Sequence, residues 1–113
     1  MFRIFNRVKP YMDLNSEDFE REIKNSDQPV ILDVRTPGEY NLGKIPNAIN
    51  IDITRGDFES LIAGFGKEKT YFVYCRGGNR SVAACTILGS KGFRSYNLVD
   101  GIHTWKGEME GTV

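Results

Sequence analysis

Within six consecutive positions, Cys75-Arg76-Gly77-Gly78-Asn79-Arg80, the chain brings together a thiol, paired glycines and two guanidinium groups. That combination suits a nucleophilic cysteine. A free thiol with a pKa of about 8.5 is only about 3% thiolate at neutral pH, whereas thiols beside helix N-termini and cations fall in the range of about 3.5 to 7.5. The loop is read as supplying such an environment. Its backbone N–H groups, the N-terminal end of a following helix, and Arg76 and Arg80 all favour negative charge beside Cys75. Gly77 and Gly78 allow positive φ and close approach of backbone to a ligand. Arg80 is expected to brace the loop and add positive potential, and Arg76 to point outward toward an incoming anion. Asn79 and Ser81 offer hydrogen bonds to the loop or cap the helix, with capping the favoured role.

The flanking residues must hold this loop in place. Thr70 to Tyr74 is aromatic and β-branched, as a buried strand should be, and Ser81 to Lys91 carries small and apolar residues that suit a helix ending at Gly92. Further strands are expected at Val30–Val34, Ala48–Ile51 and Ser95–Val99, with an edge strand near Val8 to Met12. Helices are expected at Ser16–Lys24 behind an Asn15 cap, at Thr36–Tyr40, at Asp57–Phe65 and at Gly101–Lys106. Phe19 and Ile23, four apart, mark the inner face of the first. Such alternation implies an α/β fold with a central parallel sheet of about five strands and helices on both faces. Ligands gather at the carboxyl ends of strands in such sheets, and Cys75 lies at one of those ends.

Composition narrows the function classes. A chain of 113 residues reads as a single domain, 1–113, with its core at about 11–106 and short extensions at both ends. Fifteen basic residues cancel fifteen acidic ones, so there is no broad positive field for nucleic acid or an anionic membrane. No stretch approaches the roughly 20 apolar residues of a membrane span, and Met1 to Pro10 alternates apolar with basic residues, so the chain reads as cytoplasmic. Two cysteines and one histidine are too few for a disulfide scaffold or a metal centre.

Four separated segments carry a resemblance to a known family. They are Leu32-Asp33-Val34-Arg35 with Glu39-Tyr40 downstream; Gly43 through Asn50; the loop Cys75 through Ser81; and Gly92-Phe93 leading to Asn97-Leu98, Gly101 and Trp105. Taken in that order, the chain resembles a single-domain rhodanese, a sulfurtransferase, over about Tyr11 to Trp105. The resemblance implies that Cys75 carries sulfur as a persulfide and that the loop backbone holds its terminal sulfur. It departs from the family at Lys44, where histidine is frequent, and at Asp100, where a glycine commonly precedes Gly101.

The chemistry implied is attack by Cys75 on the outer sulfur of thiosulfate or a related donor, followed by transfer to cyanide, a thiol or a protein. Sulfite leaves as a stable anion, so little general acid is needed, which fits a chain whose only histidine, His103, has no sequence cue toward Cys75. The expected catalyst is thus a thiosulfate sulfurtransferase with no cofactor beyond its own persulfide. Its partners would be small sulfur-containing anions or a protein donor or acceptor, and it would act as a monomer. A non-catalytic interaction or sensing module is the alternative. A cysteine phosphatase of the cell-cycle type fits less well, because its loop is one residue longer than the four residues between Cys75 and Arg80. Asp33 and Arg35 are expected to pair structurally near the site, Cys85 to be a small buried residue, and Trp105 to pack. Lys44 is left between site mouth and solvent.

Overall fold

A computed structural model describes residues 9–111. Its five strands form one parallel sheet in the order β1-β5-β4-β2-β3. The strands are β1 (Met12–Leu14), β2 (Pro29–Asp33), β3 (Ile49–Asn50), β4 (Thr70–Tyr74) and β5 (Arg94–Leu98). The helices are α1 (Ser16–Asn25), α2 (Pro37–Leu42), α3 (Phe58–Ile62) and α4 (Asn79–Ser90). As expected from the sequence, this is an α/β sheet covered on both faces.

β4 occupies the centre, and every one of its residues is buried. Its side chains alternate between two cores, as the two-residue period of a strand requires. Tyr71, Val73 and, just past the strand, Cys75 pack with Phe58, Ile62, Ala84, Cys85 and Leu88 of α3 and α4. Phe72 and Tyr74 face the other way, toward Phe19 of α1, Ile45 and Leu98, with Tyr40 and Trp105 at the margin. Phe72 links these pieces, stacked on Tyr96 with centroids 5.2 Å apart and edge-on to Phe19 at 5.5 Å.

Local sequence accounts for the element ends. The Asn15 side chain accepts from the Asp18 N–H at 2.9 Å and starts α1 as expected. Thr36 and Glu39 form a reciprocal capping box around Pro37, which starts α2. Several expected boundaries shift. The edge strand begins at Met12 rather than in the run from Val8, whose first residue lies outside the described residues. β3 keeps only Ile49–Asn50, because only Leu32 and Asp33 of β2 pair with it. The last helix is a 3-10 helix, Gly101–Thr104, with Trp105 already extended. The C-terminal extension, beyond the expected core, contributes an isolated antiparallel bridge: Lys44 and Glu110 exchange backbone hydrogen bonds of 2.7 and 2.8 Å.

Truncating Phe72 to alanine empties a site enclosed by aromatic rings that cannot collapse onto it. The expected loss is about 3–5 kcal/mol of unfolding free energy, read from urea denaturation. A loss below about 1 kcal/mol would contradict the packing described.

Candidate active site

Strand parity decides where the thiol points. Cys75 shares the side of β4 taken by Tyr71 and Val73, so its sulfur faces α4 rather than α1. It is 1% exposed. The Gly78 N–H donates to Sγ at 3.0 Å, and the thiol donates to Ser81 Oγ at 3.3 Å. The Ser81 hydroxyl in turn donates to the Gly78 carbonyl at 3.2 Å. Ser81, fully buried, therefore serves the sulfur rather than the cap expected of it. Gly78 is the N-cap of α4, at φ 108°, and no side chain caps the helix there. The first-turn N–H groups of a helix without such a cap remain donors for an anion. Only Gly78 of the two loop glycines takes a positive φ. Gly77 contributes space instead, with nothing within 4 Å of where its Cβ would be.

A second segment holds the loop from behind. The Ile102 N–H donates to the Cys75 carbonyl at 2.9 Å, fixing the first residue beyond β4. Gly101, at φ 71°, comes so close that a Cβ there would lie inside the Arg76 carbonyl and 2.7 Å from the Gly77 nitrogen. Asp100 is also left-handed, at φ 62°, and its backbone nitrogen would stand 3.2 Å from a Cβ on Gly78. Aspartate tolerates this region better than most residues, because its short side chain is less hindered there. The conformation gives a physical reason for glycine at this place.

The two arginines differ. Arg80 forms a two-pronged ion pair with Glu39, at 2.8 and 3.0 Å. Hydrogen bonding to Arg80, against the opposing effect of burial and with help from Thr36, holds the Glu39 carboxyl down at about 2. Arg80 thus braces the loop against α2, and its positive charge is largely matched, which reduces the field expected of it at Cys75. Arg76 is exposed, as is Asn79. The sequence reading missed Glu39 as this partner. Thr36-Pro37-Gly38-Glu39 does spell a capping box, but nothing in that spacing announces a second use of the same carboxylate.

Asp33 and Arg35 meet as expected. The Arg35 guanidinium donates to both Asp33 oxygens, Nη2 at 2.6 Å and Nε at 2.9 and 3.1 Å, and Nη2 also donates to the Gly43 carbonyl at 2.6 Å. Burial opposes the Arg35 charge, but the Asp33 hydrogen bonds and carboxylate charge, with Tyr74, together raise its pKa. Lys44 sits with Nζ 4.4 Å from the Tyr40 ring centroid. Cys85 is fully buried, and burial pushes its thiol up to about 12. Trp105 packs edge-on against Phe19 at 6.1 Å and donates from Nε1 to the Glu108 carbonyl. His103 is exposed on the 3-10 helix.

Comparisons with known proteins agree with one another. A family profile described as the rhodanese-like domain matches residues 15–108. A sulfurtransferase of Allochromatium vinosum is 30% identical over 94 residues, covering 82% of this chain and 86% of its own. The crystal structure of a rhodanese-like domain protein from Staphylococcus aureus superposes with a TM-score of 0.77 at 28% identity, covering 90% of this chain and 99% of that one. A rhodanese-related protein from Thermoplasma volcanium gives 0.74 at 35% identity, covering 84% and 90% respectively.

Two substitutions test the scaffold. Gly101→Ala should displace the Arg76–Gly77 backbone and lose about 2–4 kcal/mol of stability, measured by urea denaturation. Near-wild-type stability would show that the two segments separate freely. Glu39→Gln keeps a capping-box side chain but removes the ion pair. Because the Glu39 pKa is lowered on folding, its contribution is present above about 4.5 and lost as pH falls toward about 2. Wild type should exceed the variant by about 1–2 kcal/mol at pH 6, the pair being partly solvated, and the gap should close by pH 2. A pH-independent gap would mean the charge is not what matters.

Proposed function

This chain belongs to the rhodanese-like domain family, and on that premise we propose that it is a sulfurtransferase working through a Cys75 persulfide. The observation that carries the reading is the setting of the Cys75 sulfur: buried at the foot of an uncapped helix, it accepts from the Gly78 N–H and touches the Ser81 hydroxyl. In the first half-reaction the Cys75 thiolate attacks the outer sulfur of a donor such as thiosulfate. The Cys75–sulfur bond forms, the donor S–S bond breaks, and sulfite departs with the electron pair. In the second, an acceptor such as cyanide, a small thiol or a protein thiol attacks the outer sulfur and regenerates Cys75.

The loop's donors fit each charge state. When Cys75 is a thiol, Ser81 accepts from it and donates to the Gly78 carbonyl. When sulfur is anionic, the same hydroxyl turns and donates to it, joining the Gly78 N–H. Arg76 meets the incoming sulfur compound at the open side. No resident cofactor enters this scheme, since both electrons and the transferred atom stay within sulfur. His103, exposed beyond the loop, has no proton to deliver when the leaving group is sulfite or a thiolate. No helix among the described residues is long and apolar enough to cross a membrane, and we place the reaction in the cytoplasm, where a reducing milieu keeps Cys75 free. Single chains suffice, because one protomer holds the whole loop.

The test is intact mass after incubation with thiosulfate. Wild type should gain one sulfur atom that reductant removes, and Cys75→Ser should gain none. A wild-type protein that stays unmodified with thiosulfate and with persulfide donors would sink the sulfurtransferase reading and leave a binding module in its place.

A further inference from the structure

The end of the sheet opposite the cysteine loop carries a polar recess of its own. Thr70 begins β4 and Cys75 follows its last residue, so the two stand roughly 16 Å apart along the strand. The recess, of about 280 Å³, is bounded by the first residues of β4 and β5, the end of α1 and the turn after it. Its floor is a patch in register: Thr70 lies opposite Arg94, and Phe72 opposite Tyr96 with their rings stacked. Glu22, Asp27 and Glu68 also line it, and none of these carboxylates has an ion-pair or hydrogen-bond partner among the described residues.

Thr70 ties this surface to a ligand. It is 7% exposed, yet its hydroxyl has no hydrogen-bond partner among the described residues. An unmatched hydroxyl at such depth is costly unless something completes it. By strand alternation it shares the α1 side of β4 with Phe72, and there it borders the recess. Among the described residues that line the space, three carboxylates face one guanidinium, Arg94, which leaves two net negative charges. The last carbonyls of α1 add partial negative charge. No group of three or more acidic, cysteine or histidine side chains among the described residues is placed to hold a metal ion. The negative charges are spread around the recess instead of converging on one point.

We propose that this recess binds an aliphatic diamine or polyamine, a small ligand whose ammonium groups are spaced along a hydrocarbon chain. Each ammonium brings three N–H donors to the carboxylates and the Thr70 hydroxyl, and two ammonium groups balance the net charge. The methylenes lie against the Tyr96 ring, which Phe72 backs. The proposal does not depend on the chemistry of Cys75.

The experiment is isothermal titration of the full chain with putrescine, a four-carbon diamine, and with butylamine, which has the same carbon chain and a single ammonium. Putrescine should bind one to one and about tenfold more tightly than butylamine, because it adds a second charge-assisted contact. Salt should weaken it. Thr70→Val keeps the β-branched shape and removes only the hydroxyl; it and Glu22→Gln should each weaken putrescine by about three- to tenfold. Glu59→Gln, at a residue that does not line the recess, should leave binding unchanged. Arg94→Gln removes the one cation and should tighten binding by about two- to fourfold. No binding at millimolar putrescine, or equal affinity for the two amines, would overturn the proposal. So would equal losses from Glu22→Gln and Glu59→Gln, which would report diffuse attraction to surface charge. Wild-type affinity in Thr70→Val would remove the one buried contact on which the site is built, and weaker binding in Arg94→Gln would mean that the ligand needs an anionic group; either result sinks the diamine.

Discussion

The buried pair of Asp33 and Arg35 is the constraint on which the site's surroundings depend. An ion pair taken out of water is stable only when the geometry is good and the remaining donors and acceptors are used. Here they are used in bulk. Asp33 takes the Arg35 side chain and also the Arg35 backbone N–H at 3.0 Å, while Arg35 spends a further donor on the Gly43 carbonyl. Asn50 donates to the carbonyls of both residues, at 3.0 and 2.9 Å. The Tyr74 ring lies 5.5 Å from the guanidinium carbon, and its hydroxyl accepts from the Ile45 N–H. Burial, reinforced by the Asp33 carboxylate, keeps that phenol protonated. The ends of β2, β3 and β4 and the strap through Gly43–Ile45 are thereby locked at one level. Since Asp33 pairs with Tyr74 in register, Cys75 emerges just above this locked layer.

Much of this was legible in the residues, for reasons that differ from place to place. β4 could be read because a central strand is apolar throughout, and α4 because it follows a glycine turn. Asn15 announced its helix by capping chemistry, and Pro37 in the first turn announced the helix at Thr36–Tyr40. What could not be read were partnerships across long separations. Glu39 with Arg80 is one, and Tyr74 with the Ile45 N–H is another. For Ser81, serine's usual place near a helix start favours capping over a hydrogen bond to the loop. Its distinct role follows from strand parity, which aims Cys75 at the α4 face where Ser81 already lies.

The two cysteines show how position alone separates chemistry from packing. Cys85 falls one helical turn beyond Ser81 on the same buried face of α4, and there it meets apolar atoms and a distant Tyr96 carbonyl at 3.8 Å. With burial holding it as a thiol, it is a small hydrophobe. Cys75 is just as buried, but the groups against its sulfur are an amide donor and a hydroxyl. Exposure alone does not rank the two thiols; the neighbours do.

The close seat of Gly101 beneath Arg76 and Gly77 also bears on the order in which the molecule is made. Domains are synthesised from the N-terminus, at about 5–20 residues per second. β4 and the cysteine loop leave the ribosome before Ile102, whose N–H anchors the Cys75 carbonyl. β1, meanwhile, must wait for β5, the strand it pairs with. During synthesis, therefore, the turn that bears the thiol precedes the segment that holds the Cys75 carbonyl and lies against Arg76 and Gly77. The loop's backing therefore comes from residues made later than the loop itself, and the finished turn is a product of the last part of the chain.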